Sequence, residues 1–260
     1  AFNLTELKSR KDEIGNLAQS FFEMTRELQS RIDHIAEFAA DVAHELKNPI
    51  SSMRSASETI GKIKNVKEQR QLIKVIQNDV ERVDRLINDI SAASRLDAEL
   101  SRIEMTKINI SDLLSTLIDI RSSTINCNIN FFKEVDKCYI WGNENRIAQV
   151  FDNLIQNAAS FSKNNCRIDI RLEKNSEKII ILVEDNGPGF SEVGINKVFD
   201  RFYTERPKTE KFGNHSGLGL SISKQILEAH SGTIEAFNRL NKKNKCVGAT
   251  VKTSFNEFKL

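Results

Sequence analysis

No proline occurs in the first 48 residues, and that stretch is rich in Glu, Lys, Arg, Gln, Leu and Ala, so it most readily forms a long helix. Along it Ile14, Leu17, Phe21, Met24 and Leu28 alternate steps of three and four residues, the seam of a coiled coil. Ile32 and Ile35 follow after a second consecutive four-residue step, a stutter that locally unwinds a supercoil. The stripe continues through Ala39, Val42, Leu46, Met53 and Ile60, with Pro49 inside it expected to bend or locally break the helix. A polar stretch from Gly61 to Gln71 reads as a turn, and a second stripe runs through Leu72, Val75, Ile76, Val83, Leu86, Ile87, Ile90 and Leu96. An antiparallel helical hairpin is the simplest arrangement, and because two such helices bury their stripes poorly alone, a homodimer forming a four-helix bundle is expected.

Beyond Leu96 the texture changes. Lys107 to Ile110, Arg167 to Leu172 and Lys178 to Val183 read as strands, and helical patterns fall between and after them at Ser111 to Ser122, Glu144 to Ser160 and Gly219 to His230. This predicts an α/β domain with its boundary near Asp97 to Thr106.

The formal net charge of +2, from 38 basic and 36 acidic side chains, argues against a nucleic-acid surface. Cys127, Cys138, Cys166 and Cys246 lack any paired metal or redox spacing and read as reduced cytosolic thiols. No apolar run approaches the ~20 residues that cross a bilayer, so a spanning segment would lie outside this sequence.

Five groups of residues then stand out. In Phe38-Ala-Ala-Asp-Val-Ala-His44-Glu45-Leu-Lys-Asn48-Pro49, His44 and Asn48 lie one helical turn apart on one face, with Glu45 adjoining. A neutral imidazole keeps a lone pair that can attack phosphorus, and a neighbouring carboxylate can take the proton from the other nitrogen. A lone His on a helix is more often solvated or core-satisfied, so His44 gains weight only from its company. The zinc-protease string His-Glu-x-x-His is excluded because position 48 is Asn.

Asn153 and Asn157 stand one turn apart on a strongly apolar helix, where two carboxamides can hold a hydrated Mg²⁺ with phosphate oxygens. Directly after the strand at Lys178 to Val183 come Asp185, Gly187 and Gly189, where a strand-end carboxylate can accept from an adenine amino group beside a sharp turn. Gly217, Leu218, Gly219 and Leu220 open a helix whose free N–H groups suit an anion, and Phe199 to Tyr203 adds aromatics and the Arg201 guanidinium. No P-loop and no His-Arg-Asp catalytic loop occurs.

Together these strings resemble the sensor histidine kinases of bacterial two-component systems over nearly the whole chain. His44 lies in what looks like their H box, Asn153 to Ala158 in the N box, Asp185 to Gly189 in the G1 box, Phe199 to Tyr203 in the F box and Gly217 to Leu220 in the G2 box. Within that family, the string around His44 is similar to that of the ChvG/ExoS-like kinases of alphaproteobacteria. Arg10 to Leu17 resembles the second helix of a HAMP linker, which implies residues 1–31 as the end of that linker, 32–100 as a HisKA dimerisation and phosphotransfer domain, and 101–260 as a GHKL (Bergerat) α/β sandwich.

The resemblance also implies roles. His44 is the expected phosphoacceptor, Glu45 the general base, and Asn48 the residue positioning water for dephosphorylation of a response-regulator receiver domain. Asn157, assisted by Asn153, is expected to coordinate Mg²⁺. Phe161 and Asp185 would meet the adenine, with Tyr203 nearby and Arg201 at the γ-phosphate of ATP. Thr204 to Asn214 would form a lid. Membership of this family further implies the cytoplasmic portion of an inner-membrane protein. Two departures stand out: Ser160 replaces a frequent Lys, Arg or His, and Asn143 replaces a common Asp.

Overall fold

The computed structural model describes residues 12–100, 104–162, 165–175, 177–203, 217–241 and 243–258. The chain divides into two compact units, 1–79 and 80–260.

In the first unit, helix α1 (Glu13–Ile60) begins where the Asp12 carboxylate accepts from the Gly15 N–H at 3.0 Å. It runs without interruption through Pro49, so the expected local break does not occur. Proline removes only its own amide donor from the ladder, and the residues on either side of Pro49 remain helical. The seam side chains are largely uncovered in the single chain, with Leu17 72% and Ile35 67% exposed.

The expected turn from Gly61 to Gln71 is shorter than its polarity suggested, because helix α2 (Val66–Leu100) begins within it. Asn65 caps α2, its Oδ1 accepting from Lys67 N at 2.9 Å and its carbonyl from Gln69 N at 3.0 Å. Lys67, Glu68, Gln69 and Arg70 are good helix formers, so the stretch is polar and helical at once.

The second unit holds β1 (Thr106–Asn109), α3 (Ile110–Thr124), β2 (Asn128–Lys133), β3 (Tyr139–Gly142), α4 (Glu144–Phe161), β4 (Arg167–Lys174), β5 (Lys178–Asp185), the single turn α5 (Gly194–Lys197), α6 (Gly219–Ala229), β6 (Thr233–Leu240) and β7 (Cys246–Asn256). Five strands form one mixed sheet in the order β2-β4-β5-β7-β6, parallel only between β2 and β4, and β1 pairs with β3 in a small antiparallel ribbon. Helices α3, α4 and α6 pack together and against the large sheet, an α/β sandwich. Its core is aliphatic and aromatic: Ile147, Phe151, Leu154 and Ile155 of α4 are buried with Ile168 and Ile170 of β4 and Phe255 of β7.

Cys127 and Cys166 are joined by a disulfide, with Cα atoms 4.7 Å apart, so the expectation of four free thiols is corrected; Cys138 and Cys246 are free. The parallel pairing of β2 with β4, with Asn128 N donating to the Cys166 carbonyl, brings residues 39 apart in sequence side by side.

Candidate nucleotide site

On β5 the alternation of a strand decides where Asp185 goes. Ile179, Ile181 and Val183 face the helical layer, and Asp185, two residues on, shares their face and is only 8% exposed. Its Oδ1 accepts from Gly187 N at 2.8 Å and from Ala249 N at 3.0 Å. Burial raises its carboxyl above the usual carboxylate range, against the pull of those two amides and of Arg239. One oxygen is thus fixed by backbone and the carboxylate is oriented for a further donor.

Asp185 lies in the wall of a cavity of about 940 Å³. Val183, Ile222 and Val251 supply an apolar lining, and Asn153, Asn157, Phe161, Gly189, Tyr203, Gly217, Gly219 and Leu220 also face it. On α4 the apolar stripe is buried against the sheet, and Asn153 and Asn157 flank it one turn apart. Asn153 Nδ2 donates to the Gly219 carbonyl at 3.2 Å, which ties α4 to the start of α6 and turns the amide nitrogen away from any cation. Ser160 Oγ donates back to the Asn157 carbonyl at 2.8 Å.

Three expected residues are not in the cavity wall. Gly187 acts through its amide on Asp185, Leu218 is fully buried beneath the start of α6, and Arg201 is half-buried beside Tyr203. The expected lid, 204–214, lies outside the described residues. Gly217 adopts φ +73°, and its carbonyl accepts from Phe202 N at 3.0 Å, joining the aromatic segment to the glycine motif. The donor set fits an adenine nucleotide: a buried carboxylate for an exocyclic amine, an apolar slot for a purine, and carboxamides with a helix N-terminus for phosphates.

In the first unit, His44 and Asn48 are exposed on α1 and Glu45 is half-buried. Among the described residues no cluster of His, Cys, Asp or Glu could hold a metal ion, and no helix is long and apolar enough to cross a membrane.

Two family models match this chain: the His Kinase A phospho-acceptor domain over residues 34–99, and the histidine kinase-, DNA gyrase B- and HSP90-like ATPase over residues 142–257. The chain is 47% identical over 258 residues to the sensor protein ChvG of Rhizobium meliloti, a match covering 95% of this chain and 44% of that protein. It belongs to the sensor histidine kinases. It is also 34% identical over 207 residues to the sensor protein kinase WalK of Staphylococcus aureus, covering 77% of this chain and 34% of WalK. A solved complex of the histidine kinase ThkA with the response regulator protein TrrA superimposes with a TM-score of 0.69 at 26% identity, over 91% of this chain and 66% of that one. The chain spans less than half the length of ChvG.

Some residues of this kinase chain that shape the site carry no signal in the sequence. Ala249 contributes only its amide, and Asn238 and Arg239 act from β6, so none stands out by residue type. The reason for glycine at 248, beside Ala249, is visible only in the fold: a Cβ there would overlap the Asp185 carbonyl oxygen.

Proposed function

We propose that this chain is the catalytic part of a protein-histidine kinase that transfers the γ-phosphoryl group of ATP to His44 and then to an aspartate of a response-regulator receiver domain. The observation that carries the reading is the Asp185 carboxylate, held by Gly187 and Ala249 in the wall of an apolar cavity that Asn153 and Asn157 also face. In the first step Nε2 of His44 bonds to the γ-phosphorus as the bridging oxygen leaves with ADP, and Glu45 accepts the Nδ1 proton. Asn157 Oδ1, with Asn153 beside it, is the donor for a Mg²⁺ that would offset charge on the phosphates. Phe161 and Tyr203 flank the nucleotide, and Arg201 is assigned to the γ-phosphate. Asn48, one turn from His44, positions water for the reverse duty, dephosphorylation of the regulator.

The exposed seam from Ile14 to Ile35 supports a homodimer, since a coiled-coil partner would cover it. On this reading residues 1–31 end a HAMP linker, 32–100 form the dimerisation and phosphotransfer domain, 101–260 bind ATP, and a membrane-embedded sensor precedes them. Incubation with Mg·ATP carrying labelled γ-phosphate tests the proposal. Acid-labile, base-stable label on the wild type and none on His44→Ala is expected; label retained by His44→Ala would refute it.

A further inference from the structure

The segment from Asp185, the last residue of β5, to Phe190 is held mostly from the β6–β7 hairpin. Asn238 on β6 pairs with both backbone groups of Phe190: its Oδ1 accepts from Phe190 N at 2.7 Å and its Nδ2 donates to the Phe190 carbonyl at 2.8 Å. A carboxamide used this way replaces a strand neighbour and fixes one peptide unit in two directions. At the other end of the loop, Arg239 Nη1 donates to the Asp185 carbonyl at 3.0 Å. The fit is tight. Gly189 sits at φ +78°, and a Cβ there would come within 2.6 Å of Asn238 Oδ1, so the glycine is what lets the carboxamide reach its partner.

Pro188, Gly189 and Phe190 line the cavity, whereas Asn238 does not. We infer that Asn238 is a positioning residue for nucleotide binding, which sets the affinity for the purine nucleotide by holding the wall formed by Pro188 to Phe190. The inference rests on the nucleotide reading above. With the clasp cut, the loop must be ordered by the ligand itself, so the effect falls on binding and leaves the chemical step alone.

Asn241 supplies a control on the same hairpin. Its Oδ1 caps the turn by accepting from Lys243 N and Lys245 N at 2.9 and 3.0 Å, away from the β5 loop. In the full chain, Asn238→Ala should raise the ADP dissociation constant and the KM for ATP about 10-fold, the loss expected for two ordinary hydrogen bonds, with kcat within about 2-fold. Asn241→Ala should leave both within about 2-fold, although it loosens the same hairpin. Equal shifts in the two variants, or ADP affinity in Asn238→Ala matching the wild type, would overturn the inference alone. A wild-type chain that binds no ADP would overturn the nucleotide reading and this inference with it.

Discussion

Nε2 of His230 accepts a hydrogen bond from the backbone N–H of Asn143 at 3.1 Å, while Nδ1 lies 2.6 Å from the Ile226 carbonyl oxygen. The two contacts require a neutral ring with its proton on Nδ1. Asn143 is at the same time the N-cap of α4, its Oδ1 accepting from Arg146 N at 3.2 Å, so the common Asp is replaced by a residue that still does the capping. Burial lowers the pKa of His230 below the ordinary value. The unfolded chain therefore takes up a proton that the folded chain resists, and the contribution of this pair is present above about pH 6.5 and lost as pH falls below it. Urea unfolding of the wild type and of His230→Gln between pH 7.5 and 5 checks this. The stability difference between them should shrink on acidification, and a pH-independent difference would contradict the assignment.

Gly217 and Gly219 belong to one motif yet should respond oppositely to alanine. Gly217 holds φ +73°, and an added Cβ would stand 2.6 Å from the carbonyl carbon of Phe202, whereas nothing lies within 3.8 Å of a Cβ on Gly219. The backbone conformation alone makes Gly217→Ala unfavourable by roughly 1–2 kcal/mol, before the clash is counted. On the helix, Gly219→Ala should be neutral or stabilising by about 0.5–1 kcal/mol. Thermal unfolding of the two variants, with ADP affinity measured alongside, separates them. A Gly217→Ala chain as stable as wild type would show that the strain is absent.

The helical hairpin and the α/β layer were legible because Ile14 to Leu28 and Ile147 to Ile155 keep a helical period, and because Lys178 to Val183 is a bounded apolar run. The expected strands and helices of the second unit reappear with ends shifted by a few residues. Strands β2, β3, β6 and β7 carried too little pattern. In central β7, residues 248–251 are buried in succession, so burial has no period of two, and β3 is only four residues long. Asp185 was legible because it stands at the end of the apolar run Lys178 to Val183 and ahead of the turn residues Gly187 and Gly189. Asn238 and Ala249 were not, since each acts on a residue 48 or 64 positions away through pairing that only the folded sheet creates.

The disulfide between Cys127 and Cys166 closes a loop between residues 39 apart. By loop-closure entropy this restricts the unfolded chain by about 4 kcal/mol at most. Peptide mapping without reductant should recover Cys127 linked to Cys166. Cys246, half-buried, should alkylate in the native state, and Cys138, fully buried with its thiol pKa raised by burial, only after denaturation. Dithiothreitol should lower the unfolding midpoint of the wild type and leave Cys127→Ser unchanged. Equal sensitivity of both chains to reductant would rule the bond out as a source of stability.

Ser160 faces the cavity from the last turn of α4, three residues beyond Asn157, and its hydroxyl is spent on the Asn157 carbonyl. That bond is local and weak, so replacing the side chain costs the helix little. A lysine at 160 keeps helix propensity and carries an ammonium on a flexible stem toward the region assigned to the phosphates. Ser160→Lys should therefore lower the KM for ATP several-fold at low ionic strength. The gain should fade between about 50 and 500 mM salt as screening shortens the reach of the charge. Unchanged KM at low salt, with the fold intact, would place the phosphates away from this end of α4 and reverse the orientation assigned to the nucleotide.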